Sequence, residues 1–208
     1  YLRLVTDPTP ESIEARNQFA SDVLLLQGKL EDAAAEHAEA LREARELGHL
    51  WSEAESLRYL GLLTRARGRP EAARELFEQA LVRARLAGDR RMEGRVLGNL
   101  GICSYDSAQF ERARELFSQA LVIHREVGER GFEGTVLCNL ANTYNAQSWI
   151  DEARELYAQS LAIHREVGDH RAEGLLLGNL ANSFHVQGRF DGARKINEMA
   201  LAIHREDG

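Results

Sequence analysis

The sequence predicts an all-α protein, an α-solenoid of five antiparallel helix pairs, and three observations predict it. First, the 208-residue chain repeats itself with a period of 40 and no insertion: GRVLGNLG from Gly94 to Gly101 is answered by GTVLCNLA from Gly134 to Ala141 and by GLLLGNLA from Gly174 to Ala181. Second, apolar positions inside each copy recur at i, i+3, i+4 and i+7, the stripe of an amphipathic helix. Third, a glycine closes every copy, while only three prolines occur in the whole chain, too few for a turn-rich β protein. Such self-similarity marks an array in which each unit packs mainly on its sequence neighbours.

Five units follow a non-repeat leader at 1–10: 11–50, 51–90, 91–130, 131–170 and 171–208. Each reads as two helices. In the third unit, Leu97, Leu100, Gly101 and Ser104 share one face of the first helix, and Ala113, Phe117, Ala120, Leu121 and Ile123 share one side of the second. The break between the two helices falls at Gly28, Gly68, Ala108, Ser148 and Gly188, and Pro70 sits in a first turn, where its missing N–H costs nothing. The second helices end at Gly48, Gly88, Gly128, Gly168 and Gly208, glycine suiting the left-handed position that closes a helix. Asp89, Glu129 and Asp169 follow three of these glycines, where Asp can cap the next helix and either acid favours its positive end. The first unit departs most, with Ala20, Ser21 and His37 at core-like positions.

Charge and composition exclude several classes. Lys plus Arg number 26 against 33 Asp plus Glu, a net charge of −7 that disfavours general nucleic-acid binding. Only two cysteines, Cys103 and Cys138, are present, which rules out a disulfide scaffold and favours a reducing, cytoplasmic setting. No apolar run is long enough for a membrane span, and residues 1–10 lack the pattern of a signal peptide. The chain starts at Tyr1 and reads as a trimmed piece of something longer. No phosphate loop, nucleophile elbow, zinc-protease helix or calcium loop occurs, so no enzyme, cofactor or metal is expected.

On these residues the chain resembles the tetratricopeptide repeat family. Leu140, Ala141, Tyr144, Ala153, Tyr157 and Ser160 follow the family pattern in the fourth unit, Leu180, Ala181, Phe184, Ala193 and Ala200 in the fifth, and Leu60, Gly61, Ala73, Phe77 and Ala80 in the second. Asn197 replaces one aromatic, Thr64 another, Leu97, Leu137 and Leu177 replace the early Trp, and the closing Pro is absent. The period is similar to the 40-residue variety of kinesin light chain, LGN-like scaffolds and bacterial regulators. The resemblance implies a right-handed solenoid whose first helices line a concave groove for a protein or peptide ligand.

Carried over position by position, that groove would present Arg58 and Tyr59, then Arg95, Asn99 and Tyr105, then Asn139, Asn142 and Asn145, then Asn179, Asn182 and His185. Asn99, Asn139 and Asn179 occupy one repeat position. An amide offers donors and an acceptor, so such a ladder can pair with an extended peptide backbone or hold neighbouring repeats in register. Arg58 and Arg95 would attract acidic side chains.

Other ladders have plainer readings. His124, His164 and His204 recur every 40 residues, but copies on successive repeats lie roughly 8–10 Å or more apart, too far to share one metal. Arg74, Arg114, Arg154 and Arg194 lie three residues after Glu71, Glu111, Asp151 and Asp191, the spacing of exposed helical ion pairs. Both cysteines read as small buried hydrophobes. Trp149, at a turn, reads as a partner anchor or as packing over the next turn.

The leading expectation is a protein-interaction module, part of a larger bacterial regulatory or signalling protein, with no nucleic-acid or membrane partner. The alternative is a sensor or oligomerisation segment that self-associates or binds a small effector. Leu201 and Ile203 leave an apolar side on the last helix, so further sequence or end-to-end contact between copies is expected.

Overall fold

The computed structural model describes residues 8–24 and 27–206, the side chains of Val23, Met199 and residues 202–206 excepted. The readings placed on residues 1–7, Gly208 and the side chains of Ile203 and His204 therefore lie outside the described residues. The helices are α1 (Pro10–Phe19), α2 (Leu30–Leu47), α3 (Leu50–Ala66), α4 (Pro70–Leu86), α5 (Arg90–Asp106), α6 (Phe110–Val127), α7 (Arg130–Ala146), α8 (Ile150–Val167), α9 (His170–Val186) and α10 (Phe190–Glu206). No strand occurs among the described residues.

One backbone device closes these helices. A positive φ recurs at Gly28, Gly48, Gly68, Gly88, Ala108, Gly128, Ser148, Gly168 and Gly188, one residue in every twenty. At the turn after α4, Asp89 N–H donates to Ala84 C=O at 3.0 Å and Gly88 N–H to Arg85 C=O at 3.1 Å, the paired bonds that satisfy a helix's last carbonyls. The turn after α7 repeats the pattern, with Trp149 N–H to Tyr144 C=O and Ser148 N–H to Asn145 C=O, both 3.0 Å. Asp89 and Asp169 cap α5 and α9, accepting from Met92 N–H and Ala172 N–H at 3.0 Å each. Glu129 makes no such cap.

Ala108 (φ 56°) and Ser148 (φ 63°) hold a conformation in which a Cβ costs roughly 1–2 kcal/mol. Glycine relieves that strain but loses more backbone entropy on folding. Ala108→Gly and Ser148→Gly are each expected to stabilise the protein by about 0.5–1 kcal/mol, read by chemical denaturation. A loss of stability on both substitutions would show that these turns are not strained.

The first helix differs from a plain helix. After α1 the chain makes a π-helical turn, Ala20–Leu24. The wider turn places Ala20 and Leu24 in a core cluster with Ala33 and Leu63.

The chain divides into two compact units, Tyr1–Ser107 and Ala108–Gly208. In the first, α3 packs on α2 and α4 and also touches α1 and α5, so first helices stand beside one another with second helices behind them. Its core includes Ala54, Leu57, Ala73, Phe77 and Ala80, each at most 1% exposed. In the second, α7 packs on α6 and α8, α9 packs on α8 and α10, and α7 touches α9. Ala141, Ala153, Tyr157 and Leu176 form its central cluster, with Leu156 and Leu180 against it. Alanine dominates these contacts because its small side chain lets helix backbones approach closely while still burying apolar surface.

Candidate functional site

In the first unit, the open face of α3 carries Glu55, Arg58, Tyr59 and Leu62, all half-buried. The Arg58 guanidinium lies 4.1 Å from the centre of the Tyr59 ring. Tyr59 in turn stacks on His37 at 4.6 Å with the rings 9° from parallel. His37 is fully buried and belongs to a polar cluster: its Nδ1 lies 2.8 Å from Asn17 Oδ1, and Asn17 Nδ2 donates to Ser56 Oγ at 2.9 Å. Burial, helped by the Arg58 charge, holds the His37 imidazole down at about 4. Arg95 and Asn99 are half-buried along α5, and Tyr105 is half-buried near its end.

In the second unit the open faces of α7 and α9 carry amides and no charge: residues 134–146 and 174–186 contain no Asp, Glu, Lys or Arg. Asn142 is engaged within the fold, its Oδ1 accepting from Tyr157 Oη at 2.5 Å and from Asn179 Nδ2 at 3.4 Å. Asn142 Nδ2 and Asn179 Nδ2 each point at Cys138 Sγ from 3.9 Å. Asn145 Oδ1 accepts from Ser183 Oγ at 3.3 Å. Asn139 is half-buried and Asn182 exposed, and neither side chain makes a hydrogen bond among the described residues. His185 is exposed and meets Phe190 edge-on at 5.1 Å.

The ladder at 99, 139 and 179 is thus not uniform. Asn179 ties α9 to α7, whereas Asn139, one repeat earlier, keeps its amide free. Asn179 owes its contacts to Cys138 and Asn142 of the preceding repeat.

The histidine ladder is buried. His124 and His164 are 1% and 3% exposed, with Nδ1 at 3.1 Å from Glu129 and 3.4 Å from Asp169. No group of residues able to hold a metal ion occurs among the described residues. The arginine ladder keeps three of its pairs, Arg114–Glu111, Arg154–Asp151 and Arg194–Asp191, but Arg74 approaches Glu78 instead. Two of these arginines do more than sit on an exposed face. Arg114 lies over Tyr144 and Trp149 at 5.3 and 4.8 Å, and Arg154 over Phe184 at 4.3 Å, so each ties its helix to the next repeat through an aromatic ring. Trp149 is thereby partly engaged while remaining 45% exposed.

One ladder escaped the sequence reading. Glu53, Glu93, Glu133 and Glu173 share a repeat position and are all buried. Arg85, Arg125 and Arg165 reach Glu93, Glu133 and Glu173 at 2.8, 2.8 and 2.6 Å across the turn between successive repeats, and Arg83 reaches Glu53 at 2.8 Å. The recurrence was visible, but a glutamate in a helical first turn reads as solvated until its burial is known. Cys103 is buried, which pushes its thiol up to about 11, and burial raises Cys138 as well, so neither is a thiolate near neutrality.

Helix pairs of this length, closed by one turn every twenty residues, agree with sequence comparison. The model of the tetratricopeptide repeat matches residues 52–126 and 132–206, well over half of the chain. The chain belongs to the tetratricopeptide repeat family. Its fold is an all-α tetratricopeptide solenoid of helix pairs. Among solved structures it is similar to BtubC (BKLC) from P. vanneervenii, with a TM-score of 0.81, 22% identity, and coverage of 95% of this chain and 83% of that one. It is also similar to a putative kinesin light chain with nearly identical repeats from Podosopora anserina, with a TM-score of 0.72, 20% identity, and coverage of 96% and 98%. A third likeness is to a signal transduction ATPase with numerous domains from Pyrococcus horikoshii, described as having a tetratricopeptide repeat sensor. There the TM-score is 0.76 and identity 16%, over 94% of this chain and 30% of that one. These likenesses establish the tetratricopeptide fold. No curated protein sequence matches the chain. Among the described residues no helix is long and apolar enough to cross a membrane.

Proposed function

We propose that this tetratricopeptide chain is a non-catalytic module that binds extended segments of a protein partner on the open faces of its first helices. The observation that carries the reading is Asn139: a half-buried amide with no hydrogen-bond partner among the described residues, on a helix face free of charge. An amide so placed forfeits hydration and gains most from a peptide backbone, which offers a donor and an acceptor at every residue. Asn182 and the unengaged Nδ2 of Asn145 extend the same surface, while Arg58, Tyr59, Arg95, Asn99 and Tyr105 form its counterpart in the first unit.

The test separates binding amides from structural ones. Peptides selected from a displayed random library on the full chain are measured against Asn139→Ala/Asn182→Ala. Loss of two modest hydrogen bonds predicts affinity about tenfold weaker with an unchanged melting curve. Asn179→Ala, by contrast, breaks contacts to Cys138 and Asn142 and is expected to lower stability. Unchanged peptide affinity in a folded double variant would remove the amide face from the site.

A further inference from the structure

On the open face of α3, Glu55 and Arg58 are charged side chains three residues apart, the spacing that pairs elsewhere in this chain as Arg112–Glu115 and Arg194–Asp191. Here they do not pair. Arg58 forms no ion pair or hydrogen bond among the described residues, its Nε is buried without a partner, and its guanidinium is turned onto the Tyr59 ring. Glu55 likewise makes no hydrogen bond or ion pair among the described residues. Arg16, Arg65, Arg83 and Arg85 of the same unit each lie within 3.2 Å of a carboxylate.

A half-buried charge without a partner loses hydration and gains nothing in return. Around Glu55 stand Glu14 from α1, Asp89 at the start of α5, Arg58 on its own helix and Arg95 on α5. Burial pushes the Glu55 carboxyl up, with Glu14 and Asp89 adding to the effect against the two arginines. A ligand carrying acid alone would bring a further negative charge to three carboxylates. A ligand carrying base alone would meet Arg58 and Arg95. A segment carrying both signs satisfies both unpaired groups.

We infer that this face of α3 reads a dipolar segment of a protein partner, an acidic side chain meeting Arg58 and a basic one meeting Glu55. The inference rests on the peptide-binding reading above and names the chemistry of the segment. Three helical residues advance about 4.5 Å along the axis, and alternate side chains of an extended chain lie roughly 6–7 Å apart on one side. The two charges of the partner therefore lie two residues apart. Tyr59 holds the guanidinium in place by stacking, which lowers the cost of ordering it on binding.

A displayed random peptide library selected on the full chain, and in parallel on Glu55→Gln, Arg58→Gln and the exchanged Glu55→Arg/Arg58→Glu, tests this. On the parent chain, the enriched peptides carry an acid and a base two positions apart. The Gln variants lose the base and the acid from the enriched set, respectively, and bind the parent's peptides about five- to tenfold more weakly. The exchanged variant selects the two charges in reversed order. Enriched peptides that carry no charge or a single sign, or that are indifferent to all three substitutions, overturn the inference while leaving peptide binding standing. Failure of the parent chain to enrich any peptide overturns both. Circular dichroism of each variant confirms that a lost selection is not a lost fold.

Discussion

Gly61→Ala destabilises the first unit by about 2–3 kcal/mol, a large effect for one added methyl. A Cβ at this position would stand 2.6 Å from Cε1, 2.8 Å from Cδ1 and 2.9 Å from Cζ of Phe77. The ring is fully buried, so an added methyl forces the ring, or α3 against α4, to shift. Urea unfolding followed by circular dichroism measures the loss. Trimming the ring restores space, so Gly61→Ala combined with Phe77→Leu should cost clearly less than the sum of the two single substitutions. Additive costs would mean that the methyl is absorbed elsewhere and that the close approach of α3 and α4 is not what glycine serves.

Acidification weakens the first unit through His37. Its imidazole is held at about 4 when folded and returns to the ordinary value of 6.5 when unfolded. The unfolded chain thus binds the extra proton more readily, and stability falls as pH falls. Above pH 6.5 the residue is neutral in both states and costs nothing. The loss grows below 6.5 and is complete near pH 4, where it amounts to about 3 kcal/mol. His37→Phe keeps a flat ring against Tyr59 and removes the proton site, and the same repeat position already holds phenylalanine at Phe77 and Phe117. Unfolding free energies across pH 4–7 should therefore fall more steeply for the parent than for the variant. Parallel curves would show that His37 does not titrate between the two states. Carboxylates that lose ion pairs in the same range contribute equally to both proteins, so only the difference reports His37.

Both effects sit where reading the sequence stopped short. The 40-residue repeat, the helix pairs and the positions of the turns were legible because they depend on local chemistry. Helical periodicity of apolar residues and a left-handed closing residue leave marks in any single copy, and repetition amplifies them. Even Ala108 and Ser148 were recognisable as breaks, since they stand where other copies place glycine. The candidate face was less legible. Asn99, Asn139 and Asn179 look identical in the sequence, yet Asn179 is engaged by Cys138 and Asn142, which lie about 40 residues away. The buried glutamates at 53, 93, 133 and 173 were overlooked for a similar reason: each pairs with an arginine of an adjacent helix, Arg83, Arg85, Arg125 and Arg165 respectively.

The sequence by itself determined the helices, their lengths and the turns that end them, because each is decided by interactions within about five residues. Only the tertiary structure decided what each repeated position does. Gly61 and Ala141 occupy equivalent places in the motif and read as interchangeable small residues. A methyl exists at 141, against the α8 that carries Tyr157, but would collide at 61 with Phe77. Glu55 and Arg58 stand at the spacing of a helical ion pair, yet the Arg58 guanidinium lies over the Tyr59 ring instead. Repetition sets which residues meet, but the spacing between helices, fixed by the packing of non-identical side chains, sets whether they fit, pair or remain open.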